Sequence, residues 1–236
     1  MVSVVIPAYN EEKTIVACLD AFVTQITGEK FEVIVVNNNS TDRTEEVAKT
    51  YKNKLDLQVV LQKEKGRGAA RYLGFKEAKG EIILSTDADA VVPPDWIETL
   101  VTALKESDAV AVSGICMIND CGGFRNAAFN FFQPLGTRGY RLFLGHYWLA
   151  GFGFAIYKGI YDKSGGFNPK LNGLEDIDLG FRVCKLGEIK LITRAPVVFS
   201  GRRFQKGLLR GYLVYFKSFI DYYVYKKKRI VLSDIR

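Results

Sequence analysis

The chain is poor in the residues from which many sites are built. It has a single histidine, His146, which makes no ligand cluster. Its four cysteines, Cys18, Cys116, Cys121 and Cys184, lack the paired spacing of a zinc site and read as thiols of a reduced compartment, with a Cys116–Cys121 bridge left open. No stretch rich in Pro, Gly or Ser divides the chain, and there is no low-complexity tract or long-period repeat. The N-terminus is strand-like rather than a signal peptide, and no uninterrupted apolar run is long enough to cross a bilayer, so folding in the cytosol is expected. What remains is 48% hydrophobic over 236 residues, enough to fill one α/β domain with a real core.

The first segment is a strand, a loop and a helix. Val2-Ser3-Val4-Val5-Ile6-Pro7 is apolar and breaks into Ala8-Tyr9-Asn10-Glu11-Glu12, after which Ile15, Cys18, Leu19 and Phe22 recur at helical spacing. Asn10, Glu12 and Lys13 mark the predicted helix start. The loop therefore sits at a strand's C-terminal end, where open α/β sheets bind ligands. Tyr9 can stack a base there while Glu11 accepts a ribose hydroxyl; an ordinary surface tyrosine gives the same pattern. The unit repeats at Phe31 to Val36, followed by Asn37-Asn38-Asn39-Ser40-Thr41-Asp42, and Asp42 with Glu45 predicts a capping box. A third strand, Leu57 to Leu61, leads to Lys65 to Gly74, whose small residues and cations, Arg71 among them, can receive a diphosphate. This is not a dinucleotide fingerprint, because Arg71 stands where a third glycine belongs after Gly66 and Gly68.

Acidic pairs follow. Asp87 and Asp89 flank Ala88 just past Glu81-Ile82-Ile83-Leu84. On an extended segment, carboxylates one residue apart point to one face and can hold a hard divalent cation with its phosphates, although solvated turns share the spelling. Glu175, Asp176 and Asp178 precede Leu179, Phe181, Val183 and Leu186, and acids in a helix's first turn also favour its dipole. The strand Val197-Val198-Phe199 runs into Ser200-Gly201-Arg202-Arg203, which is either a phosphate clamp or a solvated basic loop.

Four segments in order, Pro7 to Glu12, Asn37 to Asp42, Asp87-Ala88-Asp89 and Gly173 to Leu179, resemble the family 2 glycosyltransferases over roughly residues 1–205. The resemblance implies an α/β fold with a single GT-A-type domain, the nucleotide-diphospho-sugar transferase fold, having a mixed, mostly parallel sheet flanked by helices. A nucleotide-binding half would span about 1–110, an acceptor half about 111–205, and a basic aromatic C-terminal helical extension 206–236. It implies inverting, metal-dependent transfer from a nucleotide-diphosphate sugar of UDP or GDP type to a sugar or lipid-linked acceptor. By matching motif, Pro7, Ala8, Tyr9, Glu11, Asn38, Arg71, Asp87, Ala88, Arg202 and Arg203 would bind the donor. Asp89, with Asp87, would hold Mg²⁺ or Mn²⁺, which neutralises the leaving diphosphate. Asp176 matches the general base, and Glu175 would position acceptor or base. Asn38 departs from the family's usual base-reading Asp, offering a neutral acceptor and an added donor, so base preference stays open. The Gln-x-x-Arg-Trp motif of polymer-making relatives is absent, Gln205 being followed by Lys206-Gly207-Leu208-Leu209, so single transfer is expected.

The net charge of +7 is concentrated late. Lys206, Arg210, Lys217 and Lys226-Lys227-Lys228-Arg229 interleave with Tyr212, Tyr215, Phe216, Phe219, Tyr222, Tyr223 and Tyr225. That pattern suits a helix in the headgroup region of an anionic membrane, and equally a helix packed on the core with a solvated tail. A second aromatic stretch, Phe124 to Trp148, contains Arg125, Arg138 and Arg141 and borders the acceptor in the family. Together they point to a lipid-linked acceptor and an enzyme peripheral on the inner face of the membrane; no nucleic-acid motif accompanies them. An acceptor of polyprenyl-phosphate type, already ionised, would need little help from Asp176. A sugar-nucleotide nucleotidyltransferase would carry a Gly-rich loop where this chain has Pro7-Ala8-Tyr9-Asn10, and a non-catalytic binding module would not need Asp87, Asp89 and Asp176.

Overall fold

A computed structural model of the chain describes residues 1–205 and 207–223. Lys206, the Tyr215 side chain, Tyr225 and the basic run 226–229 lie outside the described residues. The apolar segments β1 (Val2–Ala8), β2 (Phe31–Asn37) and β3 (Leu57–Leu61) pair in parallel, with β1 also parallel to β4 (Ile82–Ser85). Their connections are α1 (Ile15–Val23), α2 (Thr44–Lys49) and α3 (Arg67–Glu77). Beyond β4 come the two-residue β5 (Ala90–Val91), α4 (Trp96–Lys105), β6 (Ala111–Met117), α5 (Gly123–Leu144), β7 (Phe154–Tyr157) and α6 (Lys158–Lys163). The chain then forms α7 (Glu175–Val183), β8 (Ile189–Phe199) and α8 (Leu208–Tyr223).

The sheet order is β3-β2-β1-β4-β7-β6-β8-β5. Only β7 and β5 run against the others, β7 between β4 and β6 and β5 along the end of β8, so the sheet is mixed and mostly parallel. Both faces are covered, which is why β1 and β2 read as near-continuous apolar runs. Val4, Ile6, Val33 and Val35 face one core with Phe22 and Trp96; Val5, Ile34 and Val36 face the other with Phe75 and Phe154. On the second face Gly74 lets α3 approach closely, since a Cβ there would lie 2.4 Å from Val5 Cγ1 and 2.8 Å from Val36 Cγ2.

Parallel strands share a direction, so the loops after β1, β2, β3, β4, β6 and β8 emerge at one edge, joined by the segment entering the antiparallel β7. Two local expectations change. Asn10 takes a left-handed φ of +53°, and α1 begins only at Ile15, whose N–H donates to Glu11 O at 2.9 Å. The capping box does not form, because α2 is preceded by Arg43 at its N-cap with no side-chain cap. Asp42 Oδ1 accepts the Thr44 N–H at 3.0 Å, but Glu45 turns away to Asn37 Nδ2 (2.6 Å) and Lys49 (2.5 Å), partners that outcompete the distant backbone. The four cysteines are free thiols, so the Cys116–Cys121 bridge is not made.

Candidate active site

The loops after β1 and β2 are stitched together. Asn10 Oδ1 accepts the Thr41 N–H (2.8 Å), Thr44 Oγ1 accepts the Glu11 N–H (2.8 Å), and Asp42 Oδ2 accepts the Glu12 N–H (3.1 Å). Pro7 is half-buried at the end of β1, whereas Ala8 points into the core beneath the loop rather than toward a ligand. Tyr9 is half-exposed, and Lys65 Nζ both donates to its hydroxyl (2.9 Å) and lies 4.7 Å from the ring centroid. Asn38 is buried and fully engaged: Oδ1 accepts the Gly66 N–H (2.8 Å) and Nδ2 donates to Glu64 O (2.7 Å), fixing the loop between β3 and α3. A carboxylate could not donate to that carbonyl, which gives the departure from Asp a structural reason.

Asp87 and Asp89 do not lie on an extended segment. The Ala90 N–H closes a turn onto Asp87 O at 3.1 Å, with Ala88 buried in the core between the two acids. Each then meets a guanidinium. Arg71, expected to receive phosphate, is instead 3% exposed and bridges Asp87 Oδ1 (2.6 Å) and Glu175 Oε1. Burial works against its charge, but Asp87, Glu175 and Asp176 together raise its pKa. Arg202 Nη2 bridges Glu11 Oε1 (2.6 Å) and Asp89 Oδ2 (2.5 Å). Glu11, assigned to a ribose hydroxyl, thus holds Arg202 and accepts from Thr14 Oγ1 (2.7 Å). Arg203 follows in the same turn, half-buried. Burial and the neighbouring Asp87 charge push the Asp89 carboxyl up to about 6, with Arg202 pulling the other way.

Glu175 and Asp176 open α7 after Leu174, which sits at a left-handed φ of +62°. Burial raises both carboxyls, opposed by Arg71. Asp176 is held by N–H donors: Gly151 to Oδ2 at 3.1 Å and Ile177 to Oδ1 at 2.8 Å. Gly151 was not singled out in the sequence, yet it is the hinge of the arrangement. A Cβ there would stand 2.5 Å from Arg71 Nη2 and 3.3 Å from Asp176 Oδ2. The run Ala150-Gly151-Phe152-Gly153, small residues entering a strand, was the available signal of close backbone approach. Ser85 was likewise missed; its Oγ, 3.4 Å from Arg71 Nε, donates to Gly151 O at 3.3 Å. Asp178 pairs with Arg182 (2.7 Å) and accepts from Tyr222 (3.3 Å).

The structure therefore gathers Asp87, Arg71, Glu175 and Asp176 into one network and Glu11, Asp89 and Arg202 into another, the two joined through the Asp87–Asp89 turn. Among the described residues no group of three or more His, Cys, Asp or Glu is spaced to cage a metal alone. The carboxylates of Asp87 and Asp89 nevertheless supply hard oxygen donors of the kind that suits Mg²⁺ or Mn²⁺, ions that keep waters and substrate phosphates in their shells.

An eight-stranded mixed sheet with one acidic pair after β4 and another opening α7 defines a nucleotide-diphospho-sugar transferase domain of GT-A type. The chain belongs to glycosyl transferase family 2, whose family profile matches residues 3–165. It is 33% identical over 198 residues to the probable glycosyltransferase YdaM of Bacillus subtilis, covering 79% of this chain and 47% of that protein. Over 112 residues it is 37% identical to the dolichol-phosphate mannosyltransferase of Pyrococcus furiosus, covering 47% of this chain and 32% of that one. In three dimensions it resembles the mannosyltransferase PcManGT from Pyrobaculum calidifontis, solved with GDP-Man and Mn²⁺, at a TM-score of 0.65 and 27% identity, covering 84% of this chain and 56% of that one. The chain spans about half or less of the length of these two curated relatives.

Proposed function

We propose that the chain transfers a sugar, with inversion, from a UDP- or GDP-linked donor to a hydroxyl acceptor, using Mg²⁺ or Mn²⁺ held by Asp89 and Asp87. One observation carries this reading. Acids from two distant parts of the chain, Asp87 and Glu175, meet on the single buried guanidinium of Arg71, which sets the donor-side carboxylates beside Asp176. Pro7 and Tyr9 would border the base, and Arg202 would turn from Glu11 and Asp89 to the diphosphate. When bound, the cation would neutralise charge on the leaving diphosphate. Asp176 would take the proton from the acceptor hydroxyl as its oxygen attacks the anomeric carbon, the Gly151 N–H keeping the carboxylate aimed. Glu175 acts through Arg71 as a positioning residue.

The likeness to a dolichol-phosphate mannosyltransferase supports a second reading, in which the acceptor is a polyprenyl phosphate met at an anionic membrane surface on the cytoplasmic side. Thermal melting of the purified chain with UDP, GDP, dTDP or CDP, each with and without Mn²⁺, tests the donor. A metal-dependent rise with one nucleotide, lost in Asp89→Ala, is expected; no rise with any of them would overturn the nucleotide-sugar reading.

A further inference from the structure

Helix α5 is amphipathic with its faces reversed. The side chains it buries are Phe129, Gln133 and Thr137, at i, i+4 and i+8, and the last two bond to each other, Gln133 Nε2 donating to Thr137 Oγ1 at 3.2 Å. Its outward stripe is Phe124, Phe131, Leu135 and Leu142, at i, i+7, i+11 and i+18, with Phe124 87% and Leu142 83% exposed. A helix of a water-facing surface carries the opposite pattern. Alongside it, α8 stacks Tyr212 on Phe129 with ring centroids 6.1 Å apart and leaves Leu209, Leu213 and Phe216 exposed, again at i, i+4 and i+7. Neither helix is long and apolar enough to cross a membrane, in common with every helix among the described residues.

The charges carried by these two helices are predominantly positive, with Arg141 paired to Glu188 at 3.4 Å. The α5 sequence holds Arg125, Arg138 and Arg141 and no acid, while α8 holds exposed Arg210 and Lys217 against the single Asp221. Two copies of such a face would repel each other. An anionic lipid surface would attract it and accept its Phe and Leu side chains. We infer that α5 and α8 are the seat on which this chain rests on an anionic bilayer, lying in the plane of the headgroups.

The seat is tied to the site. From Leu144 at the end of α5 the chain runs directly to Gly151, whose N–H holds Asp176. Docking therefore brings the acceptor side of the site to the lipid, which deepens the lipid-linked reading. The binding itself does not depend on transfer, and the test reads binding alone.

The full chain is sedimented with vesicles of phosphatidylcholine alone and of phosphatidylcholine mixed with phosphatidylglycerol. The wild type is expected in the pellet with the anionic vesicles and largely in the supernatant otherwise. Phe124→Ser combined with Leu142→Ser should lower partitioning by about tenfold or more. Arg138→Glu combined with Lys217→Glu should weaken only the anionic binding. All four positions are exposed, so both double variants keep the wild-type melting temperature. Wild type that pellets with neither vesicle, or serine substitutions without effect, would overturn the seat. So would a lipid-free dimer, seen by sedimentation velocity, that the serine variant splits, because the face would then join copies of the chain.

Discussion

Replacing Arg71 by Met removes the buried cation that ties Asp87 to Glu175 in the candidate site. Glu175 is about as buried as Arg71, their side chains being 4% and 3% exposed, so its carboxylate would lose its strongest counter-charge and keep only the weaker attraction of Arg67, in a place that already raises its pKa. Removing one partner of a buried pair costs about 3–5 kcal/mol, against about 5–15 kcal/mol for the stability of a whole domain. Asp87 adds less, because its side chain is 35% exposed and water screens it. The sign with pH follows from the direction of the Glu175 shift. A carboxyl whose folded pKa lies above its unfolded value supports folding while protonated, and that support is lost as pH rises through the folded pKa. Arg71→Met should therefore lose little at about pH 5 and most at about pH 8 in urea denaturation. Adding Glu175→Gln should restore part of the loss, since the stranded charge goes with it. A single variant within about 1 kcal/mol of wild type at neutral pH, or a double variant no better than the single, would refute a stability role for the pair.

Two further outcomes are expected in transfer assays. Gly151→Ala puts a methyl group 2.5 Å from Arg71 Nη2, the atom that holds Asp87, and 3.3 Å from Asp176 Oδ2, so kcat should fall on the order of 10² with donor KM rising as well; near-wild-type kcat would contradict a positioning role for Gly151. Asp176→Asn should cost on the order of 10² or more with a hydroxyl acceptor and leave donor-induced stabilisation intact, whereas near-normal turnover on a polyprenyl phosphate would select that acceptor and end the general-base assignment.

The edge formed by the first parallel strands was legible because those strands are buried on both faces. Val4, Val5, Ile6 and Val33 to Val36 leave no choice of period, and Asn10, Asn38 and Asp87 mark where each strand stops. The second half was harder to read. β7 is four residues long and enters the sheet antiparallel between β4 and β6, its pairing with β4 joining segments about seventy residues apart that no local spacing encodes. Site residues divided along the same line. Asp87, Asp89, Glu175 and Asp176 announce themselves as acids at element ends, but the partner each takes is a property of the fold. Arg71 looked like a phosphate ligand from its glycine-rich surroundings and proved to be the buried tie between two acids. Asn38 looked like a base reader, and its amide is spent on the neighbouring loop. The outward face of α5 could be counted as aromatic in the sequence, but which aromatics are buried depends on where Phe129 docks.

The shortest strand sets where the chain tolerates a change of length. β5 pairs Ala90 with Phe199 and Val91 with Val198, and the Ser200 N–H donates to Asp89 O at 3.1 Å, so the turn bearing the acidic pair and the strand leading to Arg202 are locked in register. One residue inserted within β8 just before Val198 would slip this pairing by one position, about 3.3 Å, and carry Ser200 away from the acidic turn. The segment after β6 shares that register, because Asp120 Oδ1 accepts the Gly201 N–H at 2.8 Å and Cys121 Sγ donates to Gly201 O at 3.1 Å. The turn that bears the acidic pair and the segment that bears Arg202 are therefore one fixed-length part of the chain.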